Sequence, residues 1–442
     1  MTENAAHKTI FALASGSMRA GVAVIRVSGP QALLSLQTLG GKQNPHPRHA
    51  YYVTLREPQS QKAIDRALAI YFKGPASFTG EDTVEYHVHG GRSVIESLVA
   101  ALGSMDGFAH AAPGEFTRRA FENGKLDLTE AEAIADLIDA ETEAQRLQAL
   151  SQLGGDLAAV YQGWTSRLSG ILAHQEADIE FPEDDLPQGL SGTLLPQIEK
   201  LRAEIALHLD DNRRGERLRS GVMVAIIGAP NAGKSSLLNA LARRDAAIVS
   251  DEAGTTRDVI EVHLDLGGYP AILADTAGLR DTAQQIEAEG IRRAHIRAQE
   301  ADLKIALFDA TLSAPHAATA ALIDDRTIVA LSKADLGVAL ALEGFPLSVR
   351  TGEGMDDFLK ALTARIAGLL GAGSGMPALT RERHRAALTE ASEHLTRAVS
   401  AALPELAAED LRMALRALGR ITGRVHVEEL LDKIFRDFCI GK

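Results

Sequence analysis

Eight consecutive residues, Gly228-Ala229-Pro230-Asn231-Ala232-Gly233-Lys234-Ser235, have the spacing G-x-x-x-x-G-K-[ST] of a loop that wraps a phosphate chain. An apolar run precedes them, and Ser236 to Leu241 reads as an apolar helix behind them. That strand–loop–helix setting is the one this chemistry needs. Glycine lets backbone N–H groups approach phosphate oxygens at a helix N-terminus, where the dipole favours negative charge. In that frame Lys234 is expected to reach β- and γ-phosphates, and Ser235 to hold Mg²⁺. A chance glycine-rich turn is the competing reading, and the flanking elements weigh against it.

Three further stretches extend the pattern. Asp275-Thr276-Ala277-Gly278 ends the next strong apolar run, where an aspartate holds Mg²⁺ through water and the Gly278 amide senses a γ-phosphate. Between the two lies Gly254-Thr255-Thr256-Arg257-Asp258, in which Thr256 is the candidate for the second hydroxyl on Mg²⁺. The plain alternative there is a solvated polar loop. Ser332-Lys333-Ala334-Asp335 follows a fourth buried run and resembles the N-K-x-D motif of GTPases, whose aspartate accepts hydrogen bonds from N1 and N2 of guanine. Adenine has no such donor pair, so Asp335 is expected to choose the base. Ser332 stands in place of the usual asparagine, with a shorter reach. Ser348-Val349-Arg350 occupies the place of a Ser-Ala-Lys or Ser-Ala-Arg stretch, and the Val349 N–H is expected at the base oxygen.

Elements of three textures must position these groups. Residues 1–122 mix strands (Val22 to Val27, Tyr51 to Leu55, Ala67 to Phe72, Thr83 to Val88) with a helix over Ser93 to Leu102, an α+β pattern. From Leu126 to Leu172 the apolar residues recur at helical spacing, with Thr129 and Glu132 as a capping box, and another helix runs from Leu195 to Leu209. From Val222 to Leu370 continuous apolar runs alternate with helices, as in a parallel sheet covered on both faces. Thr380 to Phe438 is helical again. The expectation is an α+β N-terminal domain (1–122), an all-α helical domain split into 123–218 and 374–442, and an inserted α/β P-loop domain (219–373).

The composition is that of a folded globular chain of 442 residues, 45% hydrophobic and 24% charged. Its net charge of −13 disfavours a broad nonspecific nucleic-acid surface and leaves room for a local RNA contact. Cys439 is the single cysteine, which excludes an intrachain disulfide and a cysteine-rich zinc site. It reads as a small hydrophobe or as a reactive thiol. The start, Met1-Thr2-Glu3-Asn4, lacks a signal-peptide pattern and no apolar run is long enough to span a bilayer, so the expected setting is cytoplasmic, without a membrane. His87 and His89 share one strand face but lack a third metal ligand nearby.

In this order the nucleotide motifs resemble the Era-like GTPases. Further stretches narrow the resemblance to the TrmE (MnmE-type) family of tRNA-modification GTPases over essentially the whole chain. They are Gly254 to Asp258, Asp275 to Arg280, Pro113-Gly114-Glu115-Phe116-Thr117-Arg118-Arg119-Ala120-Phe121, Lys125 to Ile138, and the end Phe438-Cys439-Ile440-Gly441-Lys442. The resemblance implies a homodimer joined through N-terminal domains that bind 5-formyl- or methylene-tetrahydrofolate. It also implies an FAD-dependent partner protein in a heterotetramer. Together they install a carboxymethylaminomethyl or aminomethyl group at C5 of the wobble uridine (position 34) of certain tRNAs.

By matching position, GTP contacts fall on Asn231, Ala232, Gly233, Lys234, Ser235 and Ser236, and on Ser250, Asp251, Glu252, Ala253, Gly254, Thr255 and Thr256. Further contacts fall on Asp275, Thr276, Ala277 and Gly278, on Ser332, Lys333, Ala334 and Asp335, and on Ser348, Val349 and Arg350. The resemblance gives K⁺ to Asn231, Ser250, Glu252 and Thr255, and Mg²⁺ to Ser235 and Thr256. Such a K⁺ does the work of an arginine finger, with Arg257 and Arg280 as competitors for that part. Glu287 matches the water-orienting acid, so the catalytic set is Glu287, Lys234 and Thr256; a solvated helix-face glutamate is the bland reading of Glu287. Folate is implied at Arg26, Glu85, Lys125 and Lys442, two of which otherwise read as exposed strand charges. Ser15 to Gly21 departs from the family's glycine- and proline-rich first loop. Two rivals stand beside this reading, an Era-like ribosome-assembly GTPase switch and a nucleotide-binding scaffold without turnover.

Overall fold

The computed structural model describes residues 8–16, 19–180, 194–243, 261–275, 298–371, 376–425, 428–436, 438 and 441. Its contacts form two compact units, Met1–Ala135 with Gly419–Lys442, and Asp136–Leu418.

The first unit is built on six strands: β1 (Thr9–Leu13), β2 (Ala20–Ser28), β3 (Ala50–Arg56), β4 (Ala63–Phe72), β5 (Thr83–Gly90) and β6 (Phe108–His110). They run in the order β3-β4-β5-β2-β1-β6, antiparallel except for the β1–β6 pair. Alternation sorts the side chains. Ile25, Val27, Val84, Tyr86 and Val88 point to the face covered by α1 (Ala32–Gly40) and α2 (Arg92–Gly103), and form one dry core with them. Arg26, Glu85, His87 and His89 alternate with these residues and stand on the opposite face. The expected strands and the α2 helix are present, each longer than read. Sequence reasoning missed β1, α1 and β6.

Helices α3 (Glu115–Glu122) and α4 (Leu128–Ile138) follow. Their caps correct one expectation. The Asp127 carboxylate accepts from the Glu130 N–H at 2.9 Å, and the Glu130 carboxylate accepts from the Asp127 N–H at 2.7 Å. The capping box is therefore Asp127/Glu130, two residues earlier than the Thr129/Glu132 pair, because an aspartate serves as N-cap as well as threonine does. The C-terminal helix Glu428–Arg436 packs here: Phe435 and Phe438 bury against Leu128 and Ala131, and Arg118 pairs with Asp432 at 2.7 Å. The backbone of Gly441 lies so close to β1 that a Cβ there would collide with the Leu13 carbonyl.

In the second unit, α5 (Glu143–Leu153), α6 (Asp156–Glu180), α7 (Leu194–Leu209) and α8 (Arg214–Ser220) lead into a six-stranded sheet. Its strands are β7 (Val222–Gly228), β8 (Glu261–Leu266), β9 (Tyr269–Asp275), β10 (Leu303–Asp309), β11 (Thr327–Ser332) and β12 (Phe345–Pro346), in the order β12-β11-β10-β7-β9-β8. All neighbours are parallel except β8 and β9, a hairpin of which sequence reasoning read β9 and missed β8. Helices α9 (Lys234–Ala242), α10 (Ala317–Ala320) and α11 (Met355–Leu370) accompany it. Leu303, Ile305 and Leu307 bury on one face with Leu237 and Phe358, while Ala306 and Phe308 bury on the other. Strands covered on both faces read as unbroken apolar runs for that reason.

After α11 the chain returns to helices α12 (Glu382–Ser400) and α13 (Pro404–Thr422). The α/β part is thus an insertion, and its entry and exit adjoin. Arg214 donates to the Gly371 carbonyl at 3.1 Å, and Gly215 has room only for hydrogen beside the Leu379 carbonyl. Arg385 on α12 reaches the Leu209 carbonyl at 2.8 Å and the Asp211 carboxylate at 2.6 Å. Among the described residues no helix is long and apolar enough to cross a membrane.

The two helical stretches meet at an aromatic cluster. His208 is 3% exposed, with the Trp164 ring at 5.4 Å and the Tyr161 ring at 6.0 Å, and Tyr161 in turn touches His384 at 6.1 Å. Burial pushes His208 down to about 4, with Arg385 adding to the shift and Asp211 opposing it. The unfolded chain therefore binds a proton that the folded chain refuses between pH 6.5 and 4. Stability from this site is complete above pH 6.5 and falls as pH drops through that window, by on the order of 3 kcal/mol. In urea unfolding across pH 7 to 5, His208→Gln is expected to flatten the decline; a variant curve parallel to the wild type contradicts the assignment.

Candidate functional site: a phosphate loop beside a base cavity, and a charged sheet face

Strand β7 sits between β10 and β9 and ends at Gly228. A Cβ at that position would stand 2.5 Å from the Leu307 carbonyl oxygen, so only glycine fits the passage. The loop then takes two left-handed residues, Asn231 (φ +62°) and Gly233 (φ +96°), types that tolerate this region. Helix α9 starts at Lys234 with no side chain capping it. Its first-turn N–H groups are held at the mouth of the loop, and the macrodipole adds positive potential there. The Lys234 ammonium lies 2.9 Å from the Gly228 carbonyl and 2.9 Å from that of Ala229, so it spans the loop from inside. A helix N-terminus with a glycine at its N-cap, a lysine and a Cβ-free passage suit a phosphate chain.

Beside the loop is a cavity of about 350 Å³. Gly233, Ser236 and Leu237 line it from the loop side, Ser332, Lys333, Asp335 and Leu336 from the end of β11, and Leu347 to Arg350 from the stretch after β12. Parallel pairing of β11 with β12 and the Leu347 N–H to Leu331 carbonyl bond (2.8 Å) hold the last two stretches together. The Ser348 hydroxyl and then the Arg350 guanidinium, 2.8 Å away, hold the Asp335 carboxyl below the usual aspartate value. Lys333, left-handed at φ +59°, pairs with Asp309 at 2.5 Å. Asn231 to Ser236, Ser332 to Asp335 and Ser348 to Arg350 are thus one locus. Sequence reasoning missed Asp309, whose signal was a polar residue closing a buried strand.

Asp275 ends β9 in register with Ile226 of β7. Ser250, Asp251, Glu252, Ala253, Gly254, Thr255, Thr256, Arg257, Thr276, Ala277, Gly278, Arg280, Glu287, Cys439 and Lys442 lie outside the described residues.

On the first unit's sheet, Arg26 and Glu85 are direct cross-strand partners. Both Nε (3.0 Å) and Nη2 (2.9 Å) of Arg26 donate to Oε1 of Glu85, which leaves Oε2 facing His87 Nε2 at 3.7 Å. The guanidinium lies over the rings of Phe78 (5.2 Å) and Phe116 (5.7 Å). Lys125 donates to the Pro75 carbonyl at 3.1 Å, at the loop that carries Phe78. His87 Nε2 is buried without a hydrogen-bond partner, while His89 pairs with Asp65 at 2.9 Å. A spare carboxylate oxygen, a stacked arginine and an unpartnered imidazole nitrogen suit a flat ring with N–H donors. Phe78, Phe116 and His87 are the residues that sequence reasoning did not assign to this face.

Two family models match the chain. One, described as the MnmE helical domain, covers residues 128–439, and one described as the GTP-binding protein TrmE N-terminus covers residues 9–125. A protein of Parvibaculum lavamentivorans named tRNA modification GTPase MnmE is 55% identical over 440 residues, 98% of this chain and 100% of that one. Its namesake in Paramagnetospirillum magneticum is 55% identical over 443 residues, with 98% and 100% covered. A Danio rerio protein named 5-taurinomethyluridine-[tRNA] synthase subunit GTPB3, mitochondrial, is 48% identical over 469 residues, 98% of this chain and 93% of that one.

The depressed Asp335 carboxyl has a consequence for ligand binding. That carboxyl keeps its charge to lower pH than a free aspartate does. Affinity for a guanine nucleotide is expected to fall with acidification at a lower pH than protonation of a free aspartate would give, and Ser348→Ala or Arg350→Ala to move its loss to higher pH. Titrations at successive pH values check this; identical pH profiles in the variants and the wild type contradict it.

Proposed function

The chain belongs to the MnmE (TrmE) family of tRNA-modification GTPases, and we propose that it hydrolyses GTP in order to modify the wobble uridine of tRNA. The observation that carries the reading is the meeting of an uncapped helix N-terminus, Lys234 and the Asp335 cavity at one end of a parallel sheet.

In this proposal the first-turn amides of α9 and Lys234 bind the β- and γ-phosphates, and Asp335 accepts from guanine. Val349 meets the base oxygen through its N–H. Ser235 and Thr256 would hold Mg²⁺, which would supply positive charge to the transferring phosphoryl group. Glu287 orients a water; the water's oxygen bonds to the γ-phosphorus as the bond to the β–γ bridging oxygen breaks, and with the water's proton passing to the phosphate the products are GDP and inorganic phosphate. Asn231, Ser250, Glu252 and Thr255 hold K⁺, a positive charge comparable to an arginine finger, worth roughly 10³–10⁵ in rate.

Arg26, Glu85, Lys125 and Lys442 bind 5-formyl- or methylene-tetrahydrofolate, which supplies the one-carbon unit when bound. The Arg26 fork suits a carboxylate, and the free oxygen of Glu85 suits a ring amino group. The chain acts as a homodimer with an FAD-dependent partner, and its parts divide at 1–122, 123–218, 219–373 and 374–442. The names carried by its relatives, with the 55% identity over 98% of the chain, support the tRNA substrate.

Nucleoside mass spectrometry of tRNA from a deletion strain tests the reading. Loss of the C5-substituted wobble uridine is expected, with restoration by the wild-type gene and none by Lys234→Ala or Arg26→Ala. An intact modification after deletion overturns it, and restoration by Arg26→Ala removes the folate part.

A further inference from the structure

Ser332 closes β11 and is 3% exposed, so its side chain cannot serve solvent. Its Oγ lies 2.6 Å from the Ala232 carbonyl and 3.0 Å from the Phe308 carbonyl. A hydroxyl has one proton to give, and the shorter contact takes it. Ala232 belongs to the phosphate loop, 100 residues earlier in the chain. The Ala232–Gly233 peptide is planar and trans, so a carbonyl pinned toward β11 turns the Gly233 N–H to the other side of the loop. Gly233 is the residue before α9, held at φ +96°.

On the other flank, Ser332 leads straight into the turn that carries Asp335. Its carbonyl accepts from the Ala310 N–H at 2.9 Å, and Ala334 donates to the Leu347 carbonyl at 3.1 Å. The hydroxyl is therefore the buried link between two recognition elements that meet different ends of a nucleotide. Its one proton is committed to the loop backbone, which leaves it none to offer a base.

We propose that Ser332 is a positioning residue that fastens the phosphate loop to the base-reading turn and takes no part in choosing the base. The shorter side chain is then a tie matched to a close approach of loop and strand, and base selection falls to Asp335. The inference rests on the guanine-nucleotide reading above.

Calorimetric titration of the full-length protein with GDP and with IDP, which lacks the 2-amino group, tests it. Wild-type binding of GDP comes first, since its absence defeats the nucleotide reading and not the tie alone. Ser332→Ala is expected to weaken GDP and IDP together, each roughly tenfold, because a buried carbonyl loses its donor. The GDP/IDP ratio stays at the wild-type value, whereas Asp335→Ala collapses it. Ser332→Thr, which keeps the hydroxyl, restores both affinities, and Ser332→Cys, a weaker donor, falls between and stands in if the alanine variant fails to fold. A ratio that drops in Ser332→Ala or Ser332→Cys overturns the proposal, as do unchanged affinities in both, or a folded threonine variant as weak as alanine.

Discussion

A helix begins with backbone N–H groups that its own turns cannot satisfy, and at the start of α9 the N-cap is Gly233, which has no side chain to cap them. The architecture around this point preserves that condition. The sheet brings β7 to Gly228 with no room for a Cβ, and two left-handed residues reverse the chain so that the amides face outward. Lys234 then brings its charge to the same mouth. A helix N-terminus without a capping side chain, reinforced by the dipole and by a lysine, suits an anion.

The second constraint is that the site has two ends. A phosphate loop alone takes any nucleoside triphosphate; the base must be read by another part of the chain. Parallel pairing of β10 with β11, and of β11 with β12, sets Asp335 and the Ser348 to Arg350 stretch across the cavity from the loop. A covered parallel sheet is stiff, which suits a site whose parts come from residues over 100 positions apart. The same stiffness extends to the insertion point. Arg214, Gly215 and Arg385 knit the entry and exit of the α/β part, and the β8–β9 turn is bonded to α5 through the Ala144 N–H and the Gly268 carbonyl at 3.0 Å. Strand β9 ends at Asp275, so helical residues touch the hairpin that leads to that motif.

What was legible in the sequence was local or periodic. The phosphate loop is eight contiguous residues with fixed spacing, and the buried strands β7, β9, β10 and β11 announce themselves as apolar runs. The Asp127/Glu130 cap was misregistered because two overlapping pairs satisfy one pattern, and only geometry shows which pair's carboxylates accept the first backbone N–H groups. Edge strand β8, Glu-Val-His-Leu-Asp-Leu, is half polar by alternation and carries no run to notice. Ser332 read as a side chain of short reach, since a sequence does not show that the loop backbone comes to meet it. The Arg26 and Glu85 pairing depends on β2–β5 register. Its phenyl neighbours come from a loop and a helix 52 and 90 residues onward, so composition and spacing give no sign of them.

The two units share one logic: a charged group is held in place by neighbouring side chains so that a ligand meets a preformed arrangement. Arg26 over two rings and Asp335 between Ser348 and Arg350 are the clearest cases. The central claim, that backbone amides and Lys234 hold phosphates while one carboxylate selects the purine, is tested most directly by side-by-side calorimetry with GTP and ATP in Mg²⁺ buffer. The account predicts saturable binding of GTP and at least a hundredfold weaker binding of ATP, roughly what loss of two hydrogen bonds to a charged acceptor gives. Equal affinity for the two, or binding of neither, would contradict it.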